Sequence, residues 1–146
     1  MKTVIISIDQ KTLIPLFSSR VYKIAESLAN DENFKTIYNI EHDLSDTLDT
    51  FLSEQYYKKR LGNVKKIVAE FIVSETTGRT ELSVPSASIA TSENVSEAAS
   101  DCIVSGMLSD WIKDTVPALL KQYESAAISA ENELKRVIYT KKAPEL

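Results

Sequence analysis

The residues whose types and spacing could do chemistry are Tyr56, Tyr57, Lys58, Lys59 and Arg60, followed by Lys65 and Lys66. Stackable rings beside a run of cations form the combination that nucleic-acid surfaces use. Helix C-termini also gather Lys and Arg, because cations complement the helix dipole there. The chain as a whole is acidic, with 17 basic and 21 acidic side chains among 146 residues. DNA contact through residues 56–66 is therefore the less-favoured reading, and an acidic protein surface the favoured one. The tail cations Lys141 and Lys142 invite the same two readings, beside that of a solvated, fraying end. Tyr38, Tyr56 and Tyr57 are the candidates for an aromatic surface patch. Trp111 and Tyr123 fall on a helix–helix seam, where core packing is expected instead.

Other chemistries are weakly signalled. His42 stands with Glu41, Asp46 and Asp49, and positions 42, 46 and 49 share one helix face. Zinc sites draw on Cys or several His, and magnesium sites on carboxylates converging from different elements. One face of one helix supplies neither, so a solvated acidic face is expected and no metal. A single His and the absence of a Gly-x-Ser-x-Gly elbow leave no signal of a Ser–His–Asp nucleophile. Cys102, beside Asp101 and among apolar residues, reads as a small core residue. Gly62, Gly78 and Gly106 are isolated, so no phosphate-cradling loop is signalled. The expectation is a non-enzymatic protein without cofactors.

These residues need elements to position them. Hydrophobic residues make up 43% and charged residues 26%, the values of a soluble globular domain. The length predicts one domain over 1–146, with 139–146 as a flexible tail. No apolar run approaches the ~20 residues that span a bilayer, the first residues lack a secretory pattern, and a lone Cys excludes an intrachain disulfide. Residues 2–8 read as a short β-branched strand. Thr12 offers an N-cap, with Pro15 in the first turn, to a helix carrying Leu13, Phe17, Val21, Ile24 and Leu28 on one face. A second stripe, Ile37, Ile40, Leu44, Leu48, Phe51 and Leu52, predicts a helix to about Tyr56, closed by Gly62-Asn63 or continuing through Lys66. Residues 67–74 and 80–84 predict a hairpin around Gly78, with strand 2–8 as its third strand. An exposed loop over 85–94 then leads to a helix capped by Ser92 or Asn94. Its wide stripe of Ile103, Val104, Met107, Leu108, Trp111 and Ile112 predicts the most buried helix. Thr115 caps the last helix, with Pro117 in its first turn, and Val116, Leu120, Tyr123, Ala127, Ala130, Leu134 and Val137 repeat as four-three-four-three. That period is the seam of an antiparallel helical hairpin. The fold class is thus α+β and predominantly α-helical, with about four helices and a small antiparallel sheet.

Charge is segregated along this plan. Residues 58–79 hold 6 basic and 2 acidic groups, and residues 80–134 hold 2 and 9.

From Thr80 onward the pattern resembles a known group. A strand ending in proline (Glu81 to Pro85) leads to a helix ending in Met107-Leu-Ser-Asp-Trp111. Next comes a helix with Tyr123, Ala126 and Ala127, then Leu134-Lys-Arg136 and the tail Lys141-Lys-Ala-Pro144. Over roughly residues 80–144 this is similar to small structural virion proteins of tailed bacteriophages, of the head–tail connector or tail-adaptor kind. The resemblance implies a non-enzymatic, mostly helical component of the virion, made in the bacterial host cytoplasm. It further implies a homo-oligomeric ring whose partners are the portal and neighbouring ring or tail proteins, with no membrane. On this reading Tyr56, Tyr57, Lys58, Lys59, Arg60, Lys65, Lys66, Lys141 and Lys142 bind partners. Reversing the charge of Lys58, Lys59 and Arg60 is then expected to block assembly while the monomer stays folded.

Overall fold

Alternation along Lys2–Ser7 (β1) places Val4 and Ile6 on one side of a strand, and both are buried in the computed structural model, which describes residues 1–33 and 48–143. β1 lies antiparallel to Arg79–Val84 (β3), pairing Lys2 with Val84 through to Ser7 with Arg79. Ile72–Thr76 (β2) flanks β3 on its other side, giving the order β1-β3-β2. Val4 faces Leu82 across the ladder, so the aliphatic side chains of adjacent strands make one continuous core face. The hairpin turns at Thr77-Gly78. Gly78 has φ +73°, which a side chain disfavours, and its carbonyl accepts a hydrogen bond from the Ile8 amide at 2.9 Å.

The outer edge of β1 is closed by hydroxyls. The Ile5 and Ser7 amides donate to the Oγ atoms of Ser92 and Ser96, each at 2.9 Å. The outer edge of β2 carries no strand among the described residues. It is blunted by an irregularity at Val73 and by the Lys65–Glu75 ion pair at 3.6 Å.

Four α-helices are described: Gln10–Ala29 (α1), Thr50–Ile67 (α2), Ser92–Thr115 (α3) and Leu120–Tyr139 (α4). Together with the sheet they form an α+β, predominantly α-helical fold. α3 is the centre of the molecule, with thirteen of its 24 residues buried, against four in each of the other helices. α4 returns antiparallel along it. Trp111, Ile103 and Met107 of α3 and Leu134, Val137 and Ile138 of α4 all belong to the shared core. Each such aliphatic side chain taken from water contributes about 1.5–3 kcal/mol.

Several boundaries differ from the sequence reading, each for a local reason. Asp9, not Thr12, caps α1. Its carboxylate accepts from the Lys11 amide at 2.9 Å and from the Thr12 hydroxyl at 3.0 Å, which moves Pro15 to the sixth helical position. The stripe from Ile37 to Leu52 is not one helix. α2 starts afresh at Thr50, with Asp49 accepting from the Leu52 amide at 2.7 Å, and residues 34–47 of that stripe lie outside the described residues. Gly62-Asn63 does not end α2, which runs on to Ile67. A 3-10 turn at Ala69–Phe71 then delays the strand to Ile72. Thr91 caps α3 in a reciprocal box with Asn94, which frees Ser92 to reach β1. Thr115 closes α3 instead of opening α4, its hydroxyl donating to the Trp111 carbonyl at 2.7 Å. Pro117–Leu119 form a 3-10 turn before α4.

The loop after β3 is not simply exposed, nor is the start of the tail free. Ser88 and Ala90 are buried. The Ile89 amide donates to the Thr140 carbonyl at 3.0 Å, and the Lys142 amide to the Ala87 carbonyl at 2.7 Å. Residues 140–142 are therefore strapped to this loop.

Candidate functional site

Tyr56, Tyr57, Lys58, Lys59, Arg60, Lys65 and Lys66 all lie on α2. Helical spacing divides them between two sides. On the inner side Tyr56 and Tyr57 are 6% and 5% exposed, so they form no surface patch. Tyr56 meets Phe17 edge-on, with ring centroids 6.2 Å apart, and its hydroxyl donates to Asp114 at 2.5 Å. Burial first, then the Asp114 carboxylate, push its hydroxyl well above the ordinary tyrosine range. Burial and, secondarily, Asp9 raise Tyr57 as well. Neither ring is presented for stacking on a base.

One turn along, Arg60 lies across α3 to Asp110, which is buried. Its Nε donates to Oδ2 at 2.8 Å and an Nη to Oδ1 at 2.7 Å, the two-pronged geometry a guanidinium favours. Lys59 Nζ adds a third bond to Asp110 at 3.0 Å, while Glu131 of α4 stands 3.9 Å from Arg60. The Asp110 hydrogen bonds hold the guanidinium charged, raising its proton affinity against the opposing effect of burial. The passage is made by Gly106. A Cβ there would sit 2.3–2.8 Å from Arg60 Cγ, Cδ and Nε. Tyr56–Asp114 and Arg60–Asp110 are thus successive rungs of a polar ladder between antiparallel helices. Reversing the charge at Lys59 and Arg60 would break this ladder, so that triple variant cannot leave the monomer intact as the sequence reading expected.

The remaining cations have different places. Lys58 and Lys66 are exposed on the outer side of α2, and neither has an ion pair among the described residues. Lys65 is held by Glu75, and Lys141 and Lys142 have exposed side chains on a backbone pinned to the 85–90 loop. The structure therefore brings Tyr56, Lys59 and Arg60 to α3, leaves Lys58 and Lys66 facing outward, and keeps 141–142 apart at the α4 end.

A groove of about 1050 Å³ opens beside α2, between Thr50, Tyr57, Leu61 and Lys65 and the start of α1 at Lys11 and Ile14. Asp9 and Glu54 oppose Lys11 and Lys65 there, so no sign of charge is selected.

Cys102 is buried on the α3–α4 seam, where its thiol donates to the Ala130 carbonyl at 3.1 Å. Burial, with Glu131 and Asp101 adding, pushes it up to about 12, a poor thiolate at neutral pH. Asp49 is engaged in capping α2. His42, Glu41, Asp46 and Tyr38 lie outside the described residues. Among the described residues no group of three or more His, Cys, Asp or Glu is placed to hold a metal ion, and no helix is long and apolar enough to cross a membrane.

The residue that sequence reasoning missed is Asp110. Its signal was present: a lone carboxylate inside Met107-Leu-Ser-Asp-Trp-Ile112, the run expected to be most buried, with a glycine one turn before it. A buried charge of this kind requires a partner. Comparison with protein-family models, with curated proteins and with solved structures finds no match.

Proposed function

We propose that this chain is a non-enzymatic structural component of a tailed-phage virion, an adaptor between portal and tail acting in a homo-oligomeric ring. The observation that carries the reading is how α2 spends its charges. Arg60 and Lys59 are consumed in holding the helix to α3, and the cations left over, Lys58 and Lys66, stand on a helix face outside the groove. Small ligands are taken in concave sites, whereas charges on an outward helix face suit a macromolecular partner. The acidic stretch 80–134 and the basic stretch 58–79 of one chain suit unlike surfaces meeting between neighbouring subunits. On this reading the protein is made in the host cytoplasm and ends in the particle.

The alternative is a small cytoplasmic adaptor or regulatory protein, with DNA contact through 56–66 as one option; that contact loses its stacking half because both rings are buried. Quantitative peptide mass spectrometry of density-purified particles tests the proposal. Its peptides at a fixed ratio to those of the portal are expected. Their absence from particles, with abundance in the infected cytoplasm, would overturn it.

A further inference from the structure

Three glycines occur in the chain, and the fold explains two of them. Gly78 makes the hairpin turn, and Gly106 makes room for Arg60. Gly62 has no such reason. It lies inside α2, where glycine costs about 1 kcal/mol relative to alanine, and a Cβ added there would meet nothing within 4 Å. Its neighbours one turn to either side on the same face are Lys58 and Lys66, exposed and without ion pairs among the described residues.

The same chain carries the complement of this stripe. Glu93, Glu97 and Asp101 recur at intervals of four along α3, all exposed and with no ion pair among the described residues. Both stripes span nine residues, about 12 Å of helix from end to end. We infer that the Lys58–Gly62–Lys66 face of α2 docks the Glu93–Glu97–Asp101 face of α3 on a second copy of this chain. In the antiparallel arrangement Asp101 meets Lys58, Glu93 meets Lys66, and the missing side chain at Gly62 lets the Glu97 turn of the partner approach the backbone. The contact joins two different faces, so an open chain of subunits keeps one free stripe at either end and propagates until it closes as a ring. This deepens the ring reading and rests on it for its setting. The net negative charge of the chain disfavours a nucleic-acid polyanion as the occupant.

Sedimentation velocity on the full chain, at low and at physiological salt, tests the inference. The wild type is expected to associate beyond a dimer, and less so as salt rises. Lys58→Glu with Lys66→Glu, and separately Glu93→Lys with Glu97→Lys and Asp101→Lys, should each weaken association at least ~10-fold. The circular dichroism of each should remain that of the folded monomer. Mixing the two variants should restore association, because each then offers the other a complementary stripe. Gly62→Gln should favour the helix and still weaken association. A wild type that stays monomeric at low salt would overturn the inference, as would a mixture that stays monomeric. Retention on duplex DNA that Lys58→Glu with Lys66→Glu abolishes, with no self-association, would also overturn it. The virion reading fails separately: association through these stripes in a protein absent from particles ends that reading alone, and a monomer found in particles ends this inference alone.

Discussion

α4 and α2 both run antiparallel to α3, yet they are held to it by opposite means. The α4 contact is largely apolar: Leu134, Val137 and Ile138 are buried, and Cys102 of α3 meets Ala130 of α4. The α2 contact turns on Tyr56–Asp114 and on Asp110 with Arg60 and Lys59, although Val64 and the two tyrosine rings also reach the core. An apolar seam tolerates small changes of size and is insensitive to charge. A buried charge pair is strongly directional, and its loss is asymmetric, since removing one partner strands the other. The molecule therefore has one interface fixed by volume and another fixed by geometry.

The largest effect should come from the apolar core that α3 fills. Trp111→Ala empties the most bulky buried position and should cost about 3–5 kcal/mol in denaturant unfolding. A loss of under 1 kcal/mol would mean that the core repacks and is not fixed by volume. At the α2 interface, Arg60→Met should cost about 3 kcal/mol, because Asp110 keeps only Lys59. Replacing both ends, Arg60→Met with Asp110→Leu, should recover most of that loss. A double variant as unstable as the single would show that the pair is not what orients α2.

The two helical glycines sharpen the contrast further. Gly106→Ala pushes a methyl into the Arg60 side chain and should destabilise by about 1–3 kcal/mol. Gly62→Ala meets nothing in the monomer and should stabilise it by up to ~1 kcal/mol. Opposite signs for the same substitution, read by thermal unfolding, would separate a glycine needed by the fold from one that is not.

The smallest effect concerns pH. Cys102 is raised by burial from 9.0 to about 12, so the fold favours the neutral thiol. Its contribution is complete below the ordinary thiol range, and is lost as pH climbs from about 9 through about 12. Stability of the wild type should therefore fall more steeply across that window than that of Cys102→Ala. Equal slopes would mean that the thiol is not desolvated on the seam.

The same contrast explains what could be read from sequence. The α3–α4 hairpin was legible because a repeating apolar pattern is a local, periodic signal. The three-stranded sheet was legible because residues 67–74 and 80–84 are β-rich on either side of Gly78 and residues 2–8 offer a third β-rich strand. α2 was not legible in its role. Lys58, Lys59 and Arg60 are adjacent and alike in type, but successive helical positions point about 100° apart, so Arg60 turns inward and Lys58 outward. Which of them is consumed depends on Asp110, fifty residues away, and no local pattern records that pairing. The helix caps slipped by a few residues for a related reason: Asp9, Thr12, Thr91, Ser92 and Asn94 are all competent caps, and tertiary bonds such as Ser92 to Ile5 decide among them.

Side-by-side measurement of unfolding midpoint and self-association in two variants, Arg60→Met and Lys58→Glu with Lys66→Glu, decides whether α2 has one face for the fold and another for a partner. The first should lower the midpoint sharply. The second should lower the midpoint far less, by no more than the loss of a cation from the last turn of α2, and weaken association at least ~10-fold. A midpoint lowered as far by the outer substitutions as by Arg60→Met, or association that survives them undiminished, would contradict the division of α2.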